Sequence, residues 1–98
     1  MGCEGFEWDE AKSEETFLRR GFDFAHAVLV FDGPVIERDD LRYEYGERRI
    51  VATGLANGRL LSVVYTDRVD IGGPVRRIIS ARQGSRRERR TYAETFAR

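Results

Sequence analysis

The sequence of 98 residues predicts an α+β fold in which two N-terminal helices pack on an antiparallel β-meander of three to four strands, followed by a C-terminal helix. Three observations predict this fold. Capped apolar segments come first, an Asn-Gly pair separates two β-rich runs, and a Ser-x-x-Glu box precedes the last segment. The length suits a single domain spanning residues 1–98.

The first helix is predicted over Asp9–Arg20, where Asp9 would cap the start and Gly21 would end the helix in the left-handed conformation. A second helix is predicted over Phe24–Phe31, with Asp23 as its cap. Its run FAHAVLVF is apolar nearly all round, which is typical of a buried helix, although so short a run is also compatible with a strand.

The β-region begins with a short edge strand at Val35 and Ile36, and a loop is predicted over Glu37–Gly46. The runs RRIVATGLA and RLLSVVYTDR flank Asn57-Gly58, a pair that favours a two-residue hairpin turn because both turn positions need a positive φ. A third strand is predicted over Val75–Arg82.

A two-residue turn at Asn57-Gly58 fixes the pairing of the hairpin, because side chains alternate between the two faces of a sheet. It pairs Val51 with Val64, Arg49 with Thr66 and Glu47 with Arg68. The core face then carries Ile50, Ala52, Leu61, Val63 and Tyr65. The opposite face carries Glu47, Arg49, Val51, Thr53, Ser62, Val64, Thr66 and Arg68. The register does not decide which arginines of the third strand join this second face.

The net charge of zero conceals an asymmetry along the chain. Residues 1–75 contain 9 Lys/Arg and 15 Asp/Glu, whereas residues 76–98 contain 8 Arg and 2 Glu. Such a basic end is typical of a surface for nucleic acid or phosphate, or of a solvated helix face. The capping box Ser85 to Glu88 predicts the start of the C-terminal helix. The arginines of its RRERR run, which begins at Arg86, are expected to make a mixture of RNA, partner and solvent contacts.

The composition also limits the cofactors and the compartment. One cysteine, Cys3, and one histidine, His26, predict no metal site and no cofactor. No apolar run is long enough for a membrane span and the N-terminus is acidic, so we expect a cytoplasmic protein without membrane contact. His26 lies in an apolar run and is expected to be structural rather than a general base.

Several arginines and one carboxylate on one sheet face are suited to RNA cleavage without a metal, because guanidinium groups stabilise the charge that builds on the phosphate. Glu47, Lys12 or Tyr92 could transfer the proton. Arginines at strand ends can equally be solvated or salt-bridged. Trp8 is expected to anchor the core, with base stacking as the functional alternative.

Three blocks of this sequence resemble the BrnT toxins of bacterial type II toxin–antitoxin systems. They are FEWDEAK followed by Gly21 and Phe24; Glu47, Arg49 and Gly54 with GRLLSVVYTDR; and RIISAR with Glu88 and Tyr92. The blocks span nearly the whole chain in the family's order. One departure lies in the first helix, where Arg20 stands at the position of the family's histidine and cannot shuttle protons near neutral pH.

The resemblance implies a RelE-like ribonuclease fold, translation arrest through RNA cleavage, and neutralisation by a BrnA-like antitoxin with a ribbon-helix-helix DNA-binding part. It implies a toxin–antitoxin heterotetramer that contacts operator DNA through the antitoxin. Its polar set comprises Trp8, Lys12, Glu47, Arg49, Arg68, Arg77, Arg82 and Tyr92. We therefore expect Lys12, Glu47, Arg49, Arg68, Arg77 and Arg82 to be catalytic, and Trp8, Arg86 and Tyr92 to contact RNA. The alternative is a non-catalytic module that docks an antitoxin or nucleic acid through its basic C-terminal helix.

Overall fold

The computed structural model describes residues 5–96, and Cys3 lies outside this range. Its helices are α1 (Glu10–Arg20), α2 (Phe24–Ala27) and α3 (Arg86–Phe96), with a 3₁₀ turn at Val28–Asp32 after α2. Its strands are β1 (Phe6–Glu7), β2 (Ile36–Asp39), β3 (Ile50–Ala56), β4 (Arg59–Asp70) and β5 (Gly73–Gln83). They form one sheet in the order β1-β5-β4-β3-β2, in which β1 is parallel to β5 and the other pairs are antiparallel.

The predicted α+β class is confirmed, but the arrangement of two N-terminal helices on a meander of three to four antiparallel strands needs correction. A fifth strand, β1, precedes both helices and adds a parallel edge. The predicted second helix is α-helical for only 4 residues and continues as a 3₁₀ turn. The edge strand extends further than expected, because β2 spans Ile36–Asp39 and so includes residues 37–39 of the predicted loop.

The predicted helix caps are confirmed by their hydrogen bonds. The Asp9 carboxylate accepts from the backbone N–H groups of residues 11 and 12, and the Asp23 carboxylate accepts from that of residue 26. Gly21 ends α1 with a φ of 86°. In α3, the backbone N–H of Glu88 donates to Ser85 Oγ at 3.1 Å while the Glu88 carboxylate accepts from the Ser85 N–H at 2.8 Å, which is the predicted capping box.

The hairpin of β3 and β4 turns at Asn57-Gly58, with φ values of 51° and 83°, and pairs Val51 with Val64 as predicted. Strand pairing ends at Ile50 and Tyr65, so the predicted pairs Arg49–Thr66 and Glu47–Arg68 are not part of the ladder. Residues 47–49 instead belong to the end of a loop that enters β3.

The core lies between one face of the sheet and the N-terminal helices. It contains the predicted side chains of Ala52, Leu61, Val63 and Tyr65, with Ile50 packed at its margin. From the helical side come Phe22, Phe24, Ala27, Val28 and Val30. The other sheet face meets α3, whose Tyr92 donates to the carbonyl oxygen of Pro34 at 2.9 Å.

Candidate active site

A β-bulge in β5 decides which arginines share a face. Arg82 is opposite Ser62 and Arg77 is opposite Thr66, and those two β4 residues are an even number of positions apart. The register shifts between Val64 and Tyr65, where β5 contains the additional residue Ile79. Without the bulge, Arg77 and Arg82 would point to opposite faces, because their spacing of five is odd. The bulge places both on the face opposite the core.

The carboxylate of Glu7 joins two of the predicted catalytic arginines. Strand β1 pairs in parallel with β5 and sets Glu7 beside Arg77. Glu7 Oε2 accepts from Arg77 Nη1 at 2.9 Å and forms an ion pair with Arg68 Nη2 on β4. The side chain of Glu7 is 26% exposed, so this carboxylate is reachable from solvent but held between two guanidinium groups.

Arg49 and Glu47 reach the same place from the loop before β3. Arg49 Nε donates to Glu47 Oε2 at 3.0 Å, and the Arg49 guanidinium lies 3.9 Å from the ring centroid of Tyr45. Lys12 arrives from the first turn of α1, beside the cap Asp9. A cavity of about 300 Å³ is lined by Asp9, Lys12, Glu47, Arg49, Arg68, Arg77, Ile78 and Ile79. We call it the arginine cavity.

The arginine cavity brings together five of the six side chains that the sequence predicts to be catalytic. Four of its lining side chains are cations, and Glu47 and Asp9 line it as carboxylates. Guanidinium groups form paired hydrogen bonds to phosphate oxygens, whereas a carboxylate can accept a proton. The arrangement can therefore hold a phosphodiester and exchange a proton beside it.

The sixth predicted residue, Arg82, is engaged elsewhere. Its guanidinium donates to both carboxylate oxygens of Glu88, at 2.8 and 2.9 Å, and Arg38 contacts the same carboxylate at 3.4 Å. The hydrogen bonds from Arg82 hold the pKa of Glu88 well below its ordinary value. Arg82 thus joins β5 to the first turn of α3 and does not line the arginine cavity.

Two of the predicted RNA contacts are buried. Trp8 is 8% exposed, packs edge-to-face on Phe24, and donates its indole N–H to Glu10 at 3.2 Å. Tyr92 is also 8% exposed and packs against Phe96. Neither ring presents an open face to a nucleobase, so this placement favours the core-anchor interpretation of Trp8.

The other candidates lie away from the arginine cavity. Arg86 is exposed on α3. Arg20 ends α1, eight residues beyond Lys12, which is about 12 Å along the helix axis. His26 is half-buried beside Phe22, consistent with a structural role. The departure from the family pattern at Arg20 therefore does not alter the lining of the cavity.

Glu7 is the residue that the sequence interpretation missed. It lies between two aromatic residues, Phe6 and Trp8, in a segment for which the sequence predicts no strand. The alternation of apolar, acidic and apolar residues is the signal of a strand with one outward side chain. Two residues are too few for that signal to stand out.

Within residues 5–96, no three His, Cys, Asp or Glu side chains are grouped so that they could hold a metal ion. No helix in this range is long and apolar enough to cross a membrane.

An α+β domain that gathers arginines and carboxylates around one cavity defines a class of protein suited to binding a phosphate backbone. A family model described as "Ribonuclease toxin, BrnT, of type II toxin-antitoxin system" matches residues 8–88. The chain belongs to this family of ribonuclease toxins. A comparison with curated proteins found no match.

Proposed function

We propose that this protein is a metal-independent endoribonuclease that arrests translation by cutting RNA in the arginine cavity. The observation that carries the proposal is the convergence of Arg49, Arg68 and Arg77 with carboxylates at one cavity. Membership of a ribonuclease toxin family supports it. We further propose that the domain, with its sheet and flanking helices, is RelE-like and spans residues 1–98.

The proposed reaction uses the RNA as its own nucleophile. The 2′-hydroxyl loses its proton to a base and attacks the adjacent phosphorus, and the P–O5′ bond breaks as a proton is returned to the leaving 5′-oxygen. The products are a 2′,3′-cyclic phosphate and a 5′-hydroxyl, with no oxidant or further reactant. Arg49, Arg68 and Arg77 stabilise the negative charge on the pentacoordinate phosphorus through charge-assisted hydrogen bonds.

Two side chains that line the arginine cavity, and a third that contacts its arginines, are candidates for proton transfer. Glu47 and Lys12 are the groups that the sequence indicates, and Glu7 is the group that the structure adds. Glu7 contacts both Arg68 and Arg77, whereas Glu47 accepts a hydrogen bond from Arg49. A carboxylate between two phosphate-binding groups is within reach of the sugar attached to that phosphate, so Glu7 is our first candidate for the base.

The test is cleavage of RNA by the purified protein, with the ends of the products identified. We expect 2′,3′-cyclic phosphate ends, no loss of rate in EDTA, and losses of about 100-fold or more in kcat for Arg68→Ala and Arg77→Ala. Arg59→Ala is the matched control, since this exposed arginine begins the same strand, nine residues and about 30 Å from Arg68. Full activity of both cavity variants, or equal loss in the control, would refute the proposal.

The base is assigned by comparing Glu7→Gln, Glu47→Gln and Lys12→Ala across pH. The variant that lacks the base should lose the rise of kcat with increasing pH, whereas the other two variants should keep the shape of the pH profile. A profile unchanged in all three variants would remove all three residues from proton transfer.

We also propose that a BrnA-like ribbon-helix-helix antitoxin neutralises the toxin, that the two form a heterotetramer, and that operator DNA is contacted through the antitoxin. The type II family supports a protein antitoxin and an RNA substrate. Expression in bacteria with and without the neighbouring gene tests this: growth should stop with the toxin alone and recover with the pair. The mass of the purified complex gives its stoichiometry.

One observation favours a second candidate, a non-catalytic module that docks through α3. Arg86, Arg87, Arg89 and Arg90 are exposed, and no ion pair of these residues is found in the part of the chain that the structure describes. Such a free basic face suits an acidic partner or a nucleic acid. Tight complex formation with the antitoxin, together with intact RNA after incubation with the purified protein, would favour this candidate.

A further inference from the structure

The loop between β2 and β3 is held in one shape by a buried carboxylate. Asp40 is 4% exposed and accepts hydrogen bonds from the Arg42 guanidinium at 2.8 and 2.9 Å and from the Tyr45 hydroxyl at 3.2 Å. Its own N–H donates to the carbonyl oxygen of Arg49 at 2.8 Å, which closes the base of the loop. The Arg42 hydrogen bonds keep the pKa of Asp40 well below its ordinary value, so this anchor stays charged at neutral pH.

The anchored loop presents two tyrosines side by side. The Tyr45 ring is fixed at its hydroxyl by Asp40, and the Arg49 guanidinium covers it at 3.9 Å. The Tyr43 ring meets Tyr45 at 5.8 Å and an angle of 77°, an edge-to-face contact that leaves Tyr43 70% exposed. The Tyr43 ring is therefore held by its neighbour while most of its surface stays open to solvent.

The same loop is continuous with the arginine cavity. The Arg49 guanidinium lies over the Tyr45 ring, and Arg49 lines the cavity together with Arg68 and Arg77. Glu47 and Arg49 belong both to the cavity lining and to the loop that carries Tyr43, so an RNA strand that leaves the cavity past Arg49 crosses this loop. A base next to that phosphate then meets an exposed aromatic ring, which can stack on any base because every base has a π-face.

We propose that Tyr43 is a stacking platform for a nucleobase of the RNA strand whose phosphate occupies the arginine cavity. This inference rests on the proposed function and adds to it a base subsite, built by the loop from Asp40 to Arg49. The occupant is an unpaired nucleobase, because a base within a duplex has both faces covered by its neighbours.

The experiment measures binding of a fluorescent, single-stranded 2′-O-methyl RNA oligonucleotide, which lacks the nucleophile and is not cut. A strand of the same length with abasic residues reports on backbone contacts alone. Tyr43→Ala should weaken binding of the base-bearing strand roughly tenfold and leave the abasic strand unaffected, while Tyr43→Phe retains the affinity. The salt dependence should not change, because no phosphate contact is lost.

Leu41→Ala is the matched control, since Leu41 is 85% exposed on the same loop but has no ring. We expect its affinity to stay within twofold of the unaltered protein. Equal affinities of Tyr43→Ala and the unaltered protein for the base-bearing strand would overturn the platform, as would an equal loss on the abasic strand or in Leu41→Ala. Circular dichroism confirms that each variant is folded.

Measurements on Arg77→Ala distinguish failure of the Tyr43 platform from failure of the proposed function. If Arg77→Ala loses affinity for both strands while Tyr43→Ala binds normally, the arginine cavity holds RNA and only the platform is refuted. If the unaltered protein binds neither strand at low salt, the proposed function fails and the platform fails with it.

Discussion

Replacement of Glu88 should reveal how α3 is held on the sheet. This carboxylate closes the capping box and receives both hydrogen bonds from Arg82, and its side chain is only 15% exposed. Removal of the carboxylate leaves the Ser85 N–H without its hydrogen bond, which costs about 1 kcal/mol. The ion pair contributes about another 1 kcal/mol, since the Arg82 side chain is 40% exposed and screened by solvent. Glu88→Ala should therefore lower the free energy of unfolding by about 2 kcal/mol.

Glu88→Gln separates the two contributions. Glutamine can keep the capping hydrogen bond but not the ion pair, so we expect a loss of about 1 kcal/mol. For a domain of this size, the two variants should lower Tm by roughly 4–8 °C for glutamine and 8–16 °C for alanine. Thermal and urea unfolding followed by circular dichroism measures both. Glu94→Ala, an exposed change on the same helix, should stay within about 0.5 kcal/mol of the unaltered protein.

If both Glu88 variants unfolded at the same temperature and urea concentration as the unaltered protein, Glu88 would not stabilise the fold. Arg82→Ala should lower the free energy of unfolding by about 1 kcal/mol. In a protein that already carries Glu88→Gln, the same change should lower it little further. RNA cleavage by folded Arg82→Ala should remain within a few-fold of normal. A loss of 100-fold with unchanged stability would restore Arg82 to the catalytic set that the sequence predicts.

Three further outcomes are expected. Gly54→Ala should cost about 1–3 kcal/mol in urea unfolding, because the new Cβ would lie 2.9 Å from a valine side chain, whereas Gly33→Ala meets nothing within 4 Å and should be nearly neutral. Gly58→Ala should cost about 1–2 kcal/mol, because its φ of 83° is unfavourable for any residue with a Cβ; a variant as stable as the parent would contradict the type I′ turn. The Arg42 hydrogen bonds lower the pKa of Asp40 in the folded state, so its stabilisation is present above the ordinary value of 3.8 and is lost as pH falls below it. Asp40→Asn should flatten the loss of stability between pH 4 and pH 2, and an unchanged slope would exclude this anchor.

Local signals in the sequence predicted the parts of the fold that depend on neighbouring residues. Asp9, Asp23 and the box from Ser85 to Glu88 cap their helices as expected, and Asn57-Gly58 turns the hairpin. These features are predictable because each depends on a few adjacent residues with strong conformational preferences.

The missed features depend on distant partners. Strand β1 is too short to show a period and exists because β5, about 70 residues away, offers an edge. The bulge at Ile79 has no sequence signature, yet it sets the face of Arg77. The residue types at the arginine cavity and five of the side chains that line it were therefore predictable, whereas the contacts of Glu7 and the pairing of Arg82 with Glu88 were not.

The parallel pairing of β1 with β5 also affects when contacts can form during folding and synthesis. Glu7 and Arg77 are 70 positions apart in a chain of 98 residues, and the entropy lost in closing so long a loop slows the formation of their contact. During synthesis, β1 stays unpaired until β5 has left the ribosome. A fragment of this chain that ends before β5 lacks Arg77, Ile78 and Ile79, and therefore cannot form the arginine cavity.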